Sequence, residues 1–202
     1  DLETFLVFHY VFISPTSEDE KDFRYVSWTL AGFLERQKFP VQSPQGKRQL
    51  EREREIIPSL QTRLQNNPCF NSLTPKQQKN LLKEGDWRLK SWVDIGLSAG
   101  LNEIYARAFY RYLCGYAHAG NLSVLQLRQS QTAESQKTLC SATLGLVMIA
   151  MANMIRSYCI LFPQSNAVLL QEEDGGKIVS RWIKIGATSI KEIEIDWEDI
   201  NV

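Results

Sequence analysis

Residues 132–162 read TAESQKTLCSATLGLVMIAMANMIRSYCILF, and Pro163 follows at once. From Thr138 to Ile155 no residue is charged, a run of about 18 residues that approaches the length of a membrane span. Ser141, Thr143 and Asn153 interrupt the run, however, and Arg156 and Ser157 come directly after it. A buried central helix of a globular bundle therefore fits better than a span, and no membrane association is expected. Met148, Met151 and Met154 recur at i,i+3 and are read as adaptable core filling rather than as a cofactor box.

Toward the N-terminus the same helical period repeats. Leu2 to Ile13 is an apolar opening helix stopped by Ser14-Pro15. Ser17, followed by Glu18, Asp19 and Glu20, has the pattern of an N-cap with acids in the first turn. Phe23, Val26, Leu30, Phe33 and Leu34 then mark one helical face, which must end before Pro40. Pro44-Gln45-Gly46 is expected to be a loop. Lys47 to Leu64 is a charged helix with Leu50, Ile57, Leu60 and Leu64 as its apolar stripe, kinked or restarted at Pro58. Asn66-Asn67-Pro68 is a break. Thr74-Pro75 starts a short helix that Gly85 closes. Asp86 is expected to cap the next helix, with Trp87, Trp92, Val93 and Leu97 on one side and Gly100 as its end. Toward the C-terminus, Ile178, Val179, Trp182 and Ile183 again have helical spacing. Ile193, Ile195 and Trp197 alternate with Glu194 and Asp196, which allows a short C-terminal strand.

The fold expected is all-α: an irregular bundle of about six to eight helices in a single domain over residues 1–202. Residues 1–163 form its helical core and 164–202 a C-terminal appendage. A chain of 202 residues with 44% apolar and 23% charged residues can bury a sizeable core without a staple. The chain opens on Asp1 rather than Met, so a segment of a longer protein is expected.

Basic and acidic residues number 23 each. This balance argues against a purely electrostatic nucleic-acid or membrane binder. The charge is mildly polarised: Lys76 to Arg111 carries seven basic and four acidic residues, while the stretch after Ser189 carries one Lys and five acids. Cys69, Cys114, Cys140 and Cys159 form no C-x-x-C pair, and His9 and His118 are the only histidines. A zinc site is not expected, nor any other metal or cofactor. The aliphatic surroundings of Cys140 and Cys159 indicate buried, reduced thiols and a cytoplasmic location. Asn121-Leu122-Ser123 matches a glycosylation sequon, taken as accidental because no signal peptide precedes it.

Gly96-Leu97-Ser98-Ala99-Gly100 matches the nucleophile elbow G-x-S-x-G. That elbow works on a strand-to-helix turn within an α/β sheet, and here the flanks are helical. The small residues are better explained by close helix crossing. Phosphate-binding glycine loops and H-E-x-x-H are absent from the sequence.

One helix carries chemistry. Over Leu101 to His118, at about 100° per residue, Tyr105, Phe109, Tyr112 and Tyr116 share one face. Arg107, Arg111, Cys114, Gly115 and His118 fall roughly opposite. Seven residues are nearly two turns, so Arg111 and His118 project the same way, about 10 Å apart along the axis. The aromatic face belongs to the core, which leaves the Arg–His face to solvent, a cleft or a partner. Cys114 and Gly115 leave room between the two polar residues. An imidazole that exchanges a proton beside a permanent guanidinium charge suits phosphodiester chemistry, the first moving protons and the second neutralising phosphate. The architectural alternative is a helix-capping histidine and a surface arginine paired with an acid such as Glu103.

Trp92-Val-Asp-Ile-Gly-Leu-Ser-Ala-Gly-Leu101, then Tyr105, then Tyr110-Arg111-Tyr112-Leu113-Cys114-Gly115-Tyr116-Ala117-His118 resemble the bacterial domain-of-unknown-function family 5677, as does Leu2 to Phe39. The resemblance runs to about Pro163 and implies an all-helical fold without an established activity. More loosely, an arginine six residues before a histidine near a helix end is similar to the motif of the HEPN superfamily. That likeness implies a dimeric helical bundle acting as a metal-independent ribonuclease of a toxin or phage-defence system, with an antitoxin-like partner. Arg111 and His118 would be its catalytic pair. Arg107, Tyr112, Cys114 and Gly115 would contact RNA or a nucleotide. The sequence departs from the motif at Tyr112, where a small polar residue is usual. The competing expectation is a non-catalytic binding or dimerisation module within a longer protein.

Overall fold

Capping chemistry sets most of the helix boundaries. The computed structural model describes residues 2–171 and 173–188, without the side chains of Phe109, Ala117 and Glu173. The described residues hold eleven α-helices and one π-helical turn, an all-α architecture. The alternating stretch Ile193 to Trp197 lies outside the described residues.

The described helices fall into two compact units. One comprises residues 10–90. The chain begins with α1 (Leu2–Phe8) and the π-helical turn His9–Ile13, of which Tyr10 onward belongs to this unit. Helix α2 (Glu18–Gln37) starts where the Ser17 side chain accepts from the backbone N–H of Glu20, with three acids in its first turn. Helix α3 (Pro44–Gln65) corrects the expected loop at Pro44-Gln45-Gly46. Ser43 caps it by accepting from Gly46 N–H, and Pro44 supplies a preset helical φ at the first position. A Cβ at Gly46 would lie 2.2 Å from the Val41 side chain, so glycine here permits the close entry of the chain. The helix also runs through Pro58 instead of restarting. Short α4 (Pro68–Asn71) and α5 (Pro75–Glu84) follow, the latter with a full Thr74–Gln77 capping box and Gly85 closing it in the left-handed region.

Phe23, Val26, Leu30, Leu64, Phe70 and Leu81 form the core of this unit, drawn from α2 to α5. Each contributes roughly 1.5–3 kcal/mol by leaving water. Two charged groups are buried beside it. Arg24 is 4% exposed; it donates to Tyr10 O at 2.6 Å and Ser14 Oγ at 2.7 Å, pairs with Glu20, and lies 4.2 Å over the Tyr10 ring. Burial alone would raise the Glu20 carboxyl, but the Thr16 N–H and hydroxyl, together with Arg24, outweigh it and hold the group below its ordinary range. Glu53 is 1% exposed and is bound by Arg36 and, at 2.8 Å, by Gln49.

The second unit comprises residues 1–9 and 91 onward. Residues 86–90 are not helical, and Ser91, rather than Asp86, caps α6 (Trp92–Ser98) through a capping box with Asp94. Ser91 wins because the helix begins five residues later than the apolar spacing of Trp87 suggests. Helix α6 packs on α7 (Glu103–Ala117), where a Cβ at Gly96 would stand 3.1 Å from Ala106 Cβ. The small residues of G-x-S-x-G thus serve close helix approach. Helix α8 (Asn121–Gln129) has no counterpart in the periodicity of the sequence. Helix α9 (Ala133–Leu161), capped by Thr132, receives α1, α10 (Pro163–Gln171) and α11 (Glu173–Ala187).

The expected burial of α9 is met on one side only. Ile149, Ala150, Ala152, Asn153 and Ser157 are buried, but Leu144 is 61% and Met151 50% exposed. The methionine stripe is therefore not core filling throughout. The helix is long and apolar enough to cross a membrane, and 22% of its most apolar stretch is buried. The cysteines are unpaired, as the spacing suggests, but Cys140 is exposed and Cys159 half-buried. Their aliphatic neighbours lie along the helix and do not cover them.

Candidate functional site

Helix α7 is placed by its ends. Asn102 caps the start by accepting from Ile104 N–H at 2.9 Å. At the far end the chain reverses through Ala119, a non-glycine residue at φ 50. Gly120 N–H donates back to Gly115 O at 2.6 Å, and Ala119 N–H reaches toward Tyr116 O at 3.5 Å. These are the two bonds of a Schellman ending, with alanine where glycine is usual. Ser123 Oγ donates to the same Gly115 carbonyl at 2.7 Å, tying α8 to the helix end.

Tyr105 and Ala106 are buried, and Tyr112 and Tyr116 half-buried, while Arg107, Arg111 and His118 are exposed. The amphipathic split follows from the 3.6-residue period. Tyr112 turns from the Arg–His face: its hydroxyl lies 3.4 Å from Thr143 Oγ1 on α9, and its ring 4.9 Å from that of Tyr116. Tyr116 in turn donates to Gln126 Oε1 at 2.8 Å. Burial and the Tyr112 hydroxyl push the Tyr116 phenol up to about 12. Burial, a hydrogen bond with Cys114 and the Glu3 carboxylate do the same to Tyr110. Both phenols stay neutral and act as packing groups, Tyr110 against Trp92 of α6 and Tyr116 toward Gln126 of α8.

On the other side, Arg107 pairs with Glu103 at 2.8 Å across one turn, with both side chains largely exposed. Glu103 therefore serves Arg107 and not Arg111. Neither the Arg111 guanidinium nor the His118 imidazole has a hydrogen bond or ion pair among the described residues. His118 does close the helix, but through its backbone N–H, which donates to Cys114 O at 2.9 Å. Its ring is left for other work. Gly115 faces open space, with nothing within 4 Å of where a Cβ would stand. Cys114 is half-buried beside it. The structure thus brings Arg107, Arg111, Gly115 and His118 onto one strip, roughly 16 Å long at 1.5 Å per residue, and takes Tyr112 away from it.

Two kinds of feature were not legible in the sequence. Arg24 and Glu53 are buried charges with partners on other segments, Tyr10 O and Ser14 Oγ for the first and Arg36 for the second. Two cavities flank α10, of about 640 and 580 Å³, the first lined by Arg156 and Lys177. Among the described residues no cluster of three or more His, Cys, Asp or Glu side chains is arranged to hold a metal ion. Comparison of the chain with protein-family models, curated proteins and solved structures finds no match.

Proposed function

We propose that the strip on α7 is a phosphodiester site and that the protein is a metal-independent RNA endonuclease. The observation that carries this reading is the joint exposure of Arg111 and His118, two turns apart, with neither side chain engaged by a described partner. A ribose 2′-hydroxyl attacks the adjacent phosphorus and gives its proton to a histidine. The bond from phosphorus to the 5′-oxygen breaks, and that oxygen takes up a proton. The products are a 2′,3′-cyclic phosphate and a 5′-hydroxyl. Arg111 neutralises the charge on the pentavalent phosphate, and Arg107 guides the backbone electrostatically. Gly115 leaves the space between them free for the ribose-phosphate.

One histidine supplies one proton-transfer group, so a second copy would complete the acid–base pair. Helix α8, which begins three residues after His118, supports such a homodimer. Ser123 is its one buried residue, whereas Leu122, Val124 and Leu127 are at least half exposed. A toxin or defence role in the cytoplasm, restrained by an antitoxin-like protein, agrees with this chemistry.

Incubation with end-labelled RNA in the presence of a chelator tests the reading. Cleavage to a 2′,3′-cyclic phosphate is expected, slowed about 10²–10⁴-fold by His118→Ala. An RNA left intact by the wild-type protein defeats it. A binding module is the second reading, favoured by the exposed setting of His118, which no described side chain orients. It predicts thermal stabilisation by RNA or a nucleotide without turnover.

A further inference from the structure

The cavity beneath α10 has a composition that the α7 strip does not explain. It measures about 640 Å³, within the range of small-molecule sites. Its walls are mostly aliphatic, from Ile160 on α9, Leu169 and Leu170 on α10, and Ile183 on α11. Its charged lining consists of Arg156 and Lys177, and no acid is among the described residues that line it.

Arg156 is held in place by the protein interior. Its Nη2 donates to Asn153 Oδ1 at 3.0 Å and to Ala99 O at 3.3 Å. Asn153 is 1% exposed and is itself anchored to Ile149 O at 2.9 Å. Both acceptors of the guanidinium are neutral oxygens, so its charge has no counter-ion among the described residues. A half-buried cation of this kind favours an anion, and a planar guanidinium matches a carboxylate in particular. Around it, Leu170 is 72% and Ile160 63% exposed although both line the cavity. Apolar lining left in water is covered at a gain when a hydrocarbon chain enters.

The geometry points to a binding site for a free single-chain carboxylate amphiphile, of the fatty-acid class, with its head on Arg156 and its tail between α9, α10 and α11. The adjoining cavity of about 580 Å³ shares Cys159 and Leu169 with the first and offers further apolar length along α10. Helix α10 has no buried residue, so it shifts at small cost to admit a chain. This site is independent of the Arg111–His118 reading.

Isothermal titration of the whole protein with monomeric decanoate and dodecanoate tests the site. Saturable binding of one ligand per chain is expected, tighter for dodecanoate by roughly fifteenfold, since each of the two added methylenes is worth about fourfold when buried. Decanol should bind more weakly than decanoate. Arg156→Gln should weaken decanoate binding about tenfold or more, and Arg156→Lys, which keeps the charge but not the planar fork, should fall between that variant and the wild type. Ile160→Gln, at an exposed lining position, reads the tail contact independently should Arg156→Gln fail to fold, and should flatten the chain-length dependence. Absence of saturable binding overturns the proposal. So does decanoate binding that both Arg156→Gln and Ile160→Gln leave unchanged. Binding to phosphatidylglycerol vesicles without binding to decanoate also overturns it, by making this face a membrane-docking surface.

Discussion

Residues 10–90 are about one-third apolar and the unit containing α6 to α11 about one-half, yet the less apolar sequence builds the more tightly sealed core. In the first, the stripes of α2, α3, α4 and α5 converge on one cluster, and Phe23, Val26, Leu30, Leu64 and Leu81 are nearly sealed from water. Charged groups that enter this interior, Arg24 and Glu53, arrive with partners. In the second, α9 is the longest helix and carries an extended apolar stretch, yet most of that stretch is not buried. Helix α8 buries Ser123 and leaves its leucines outside, and α10 has no buried residue at all. Hydrophobic content is the capacity to bury; the amount buried is set by what the other helices bring against it. One unit spends that capacity internally, and the other leaves much of it at its surface.

This contrast breaks most sharply under truncation. Leu30→Ala, in the sealed cluster, should cost about 3 kcal/mol in denaturant unfolding, through lost transfer energy and the cavity left behind. Leu122→Ala, at 69% exposure, should change stability by less than about 0.5 kcal/mol. Equal losses would show that α8 is packed after all.

A smaller effect is expected at Glu53. Arg36→Ala removes the cation from a carboxylate that is 1% exposed and leaves Gln49 as its described partner. Because Arg36 is itself half exposed, a loss of about 2 kcal/mol is expected rather than the larger figure for a fully buried pair. Hydrogen exchange should localise the change to α2 and α3, and an unaltered exchange pattern would deny the pair any structural role.

Acid should act on the same unit. The Glu20 carboxyl is held below its ordinary range in the folded protein. Its contribution is therefore fully present above the unfolded value, about 4.3, and is lost as pH falls toward and through the folded value. Unfolding measured between pH 6 and pH 3 should show this loss, and Glu20→Gln should reduce it.

The smallest effect is a gain. Ala119 occupies the left-handed region, which costs an L-residue about 1 kcal/mol, so Ala119→Gly should stabilise the end of α7 by up to that amount. A destabilised variant would mean that the alanine methyl makes a contact worth more than the strain.

Much of this architecture was legible because caps are local. Ser17, Thr74 and Thr132 announce boundaries through bonds to residues three away, and Gly85 through a bond to Asn80, five away. The start of α3 was not, because Pro44 and Gly46 have the composition of a turn until Ser43 is recognised as the cap. The shift from Asp86 to Ser91 has the same origin: two competent caps compete, and packing decides. Helix α8 escaped notice because its apolar residues fall on several sides and give no stripe. At the candidate site, the exposure of Arg111 and His118 follows from period alone. The engagement of Tyr112 with Thr143, 31 residues away, does not, since it depends on how α9 passes the helix. The cavity at Arg156 was equally hidden, being built from three helices with no sequence proximity between its ends.

The reversal that ends α7 is made entirely by main-chain atoms and the Ser123 hydroxyl. Position 118 thus contributes a peptide group to the turn and holds its ring in reserve. An experimenter inherits a socket: asparagine, lysine, glutamate or an unnatural imidazole analogue can be installed there without redesigning the scaffold. Differences among such variants would then report on reactivity and not on folding.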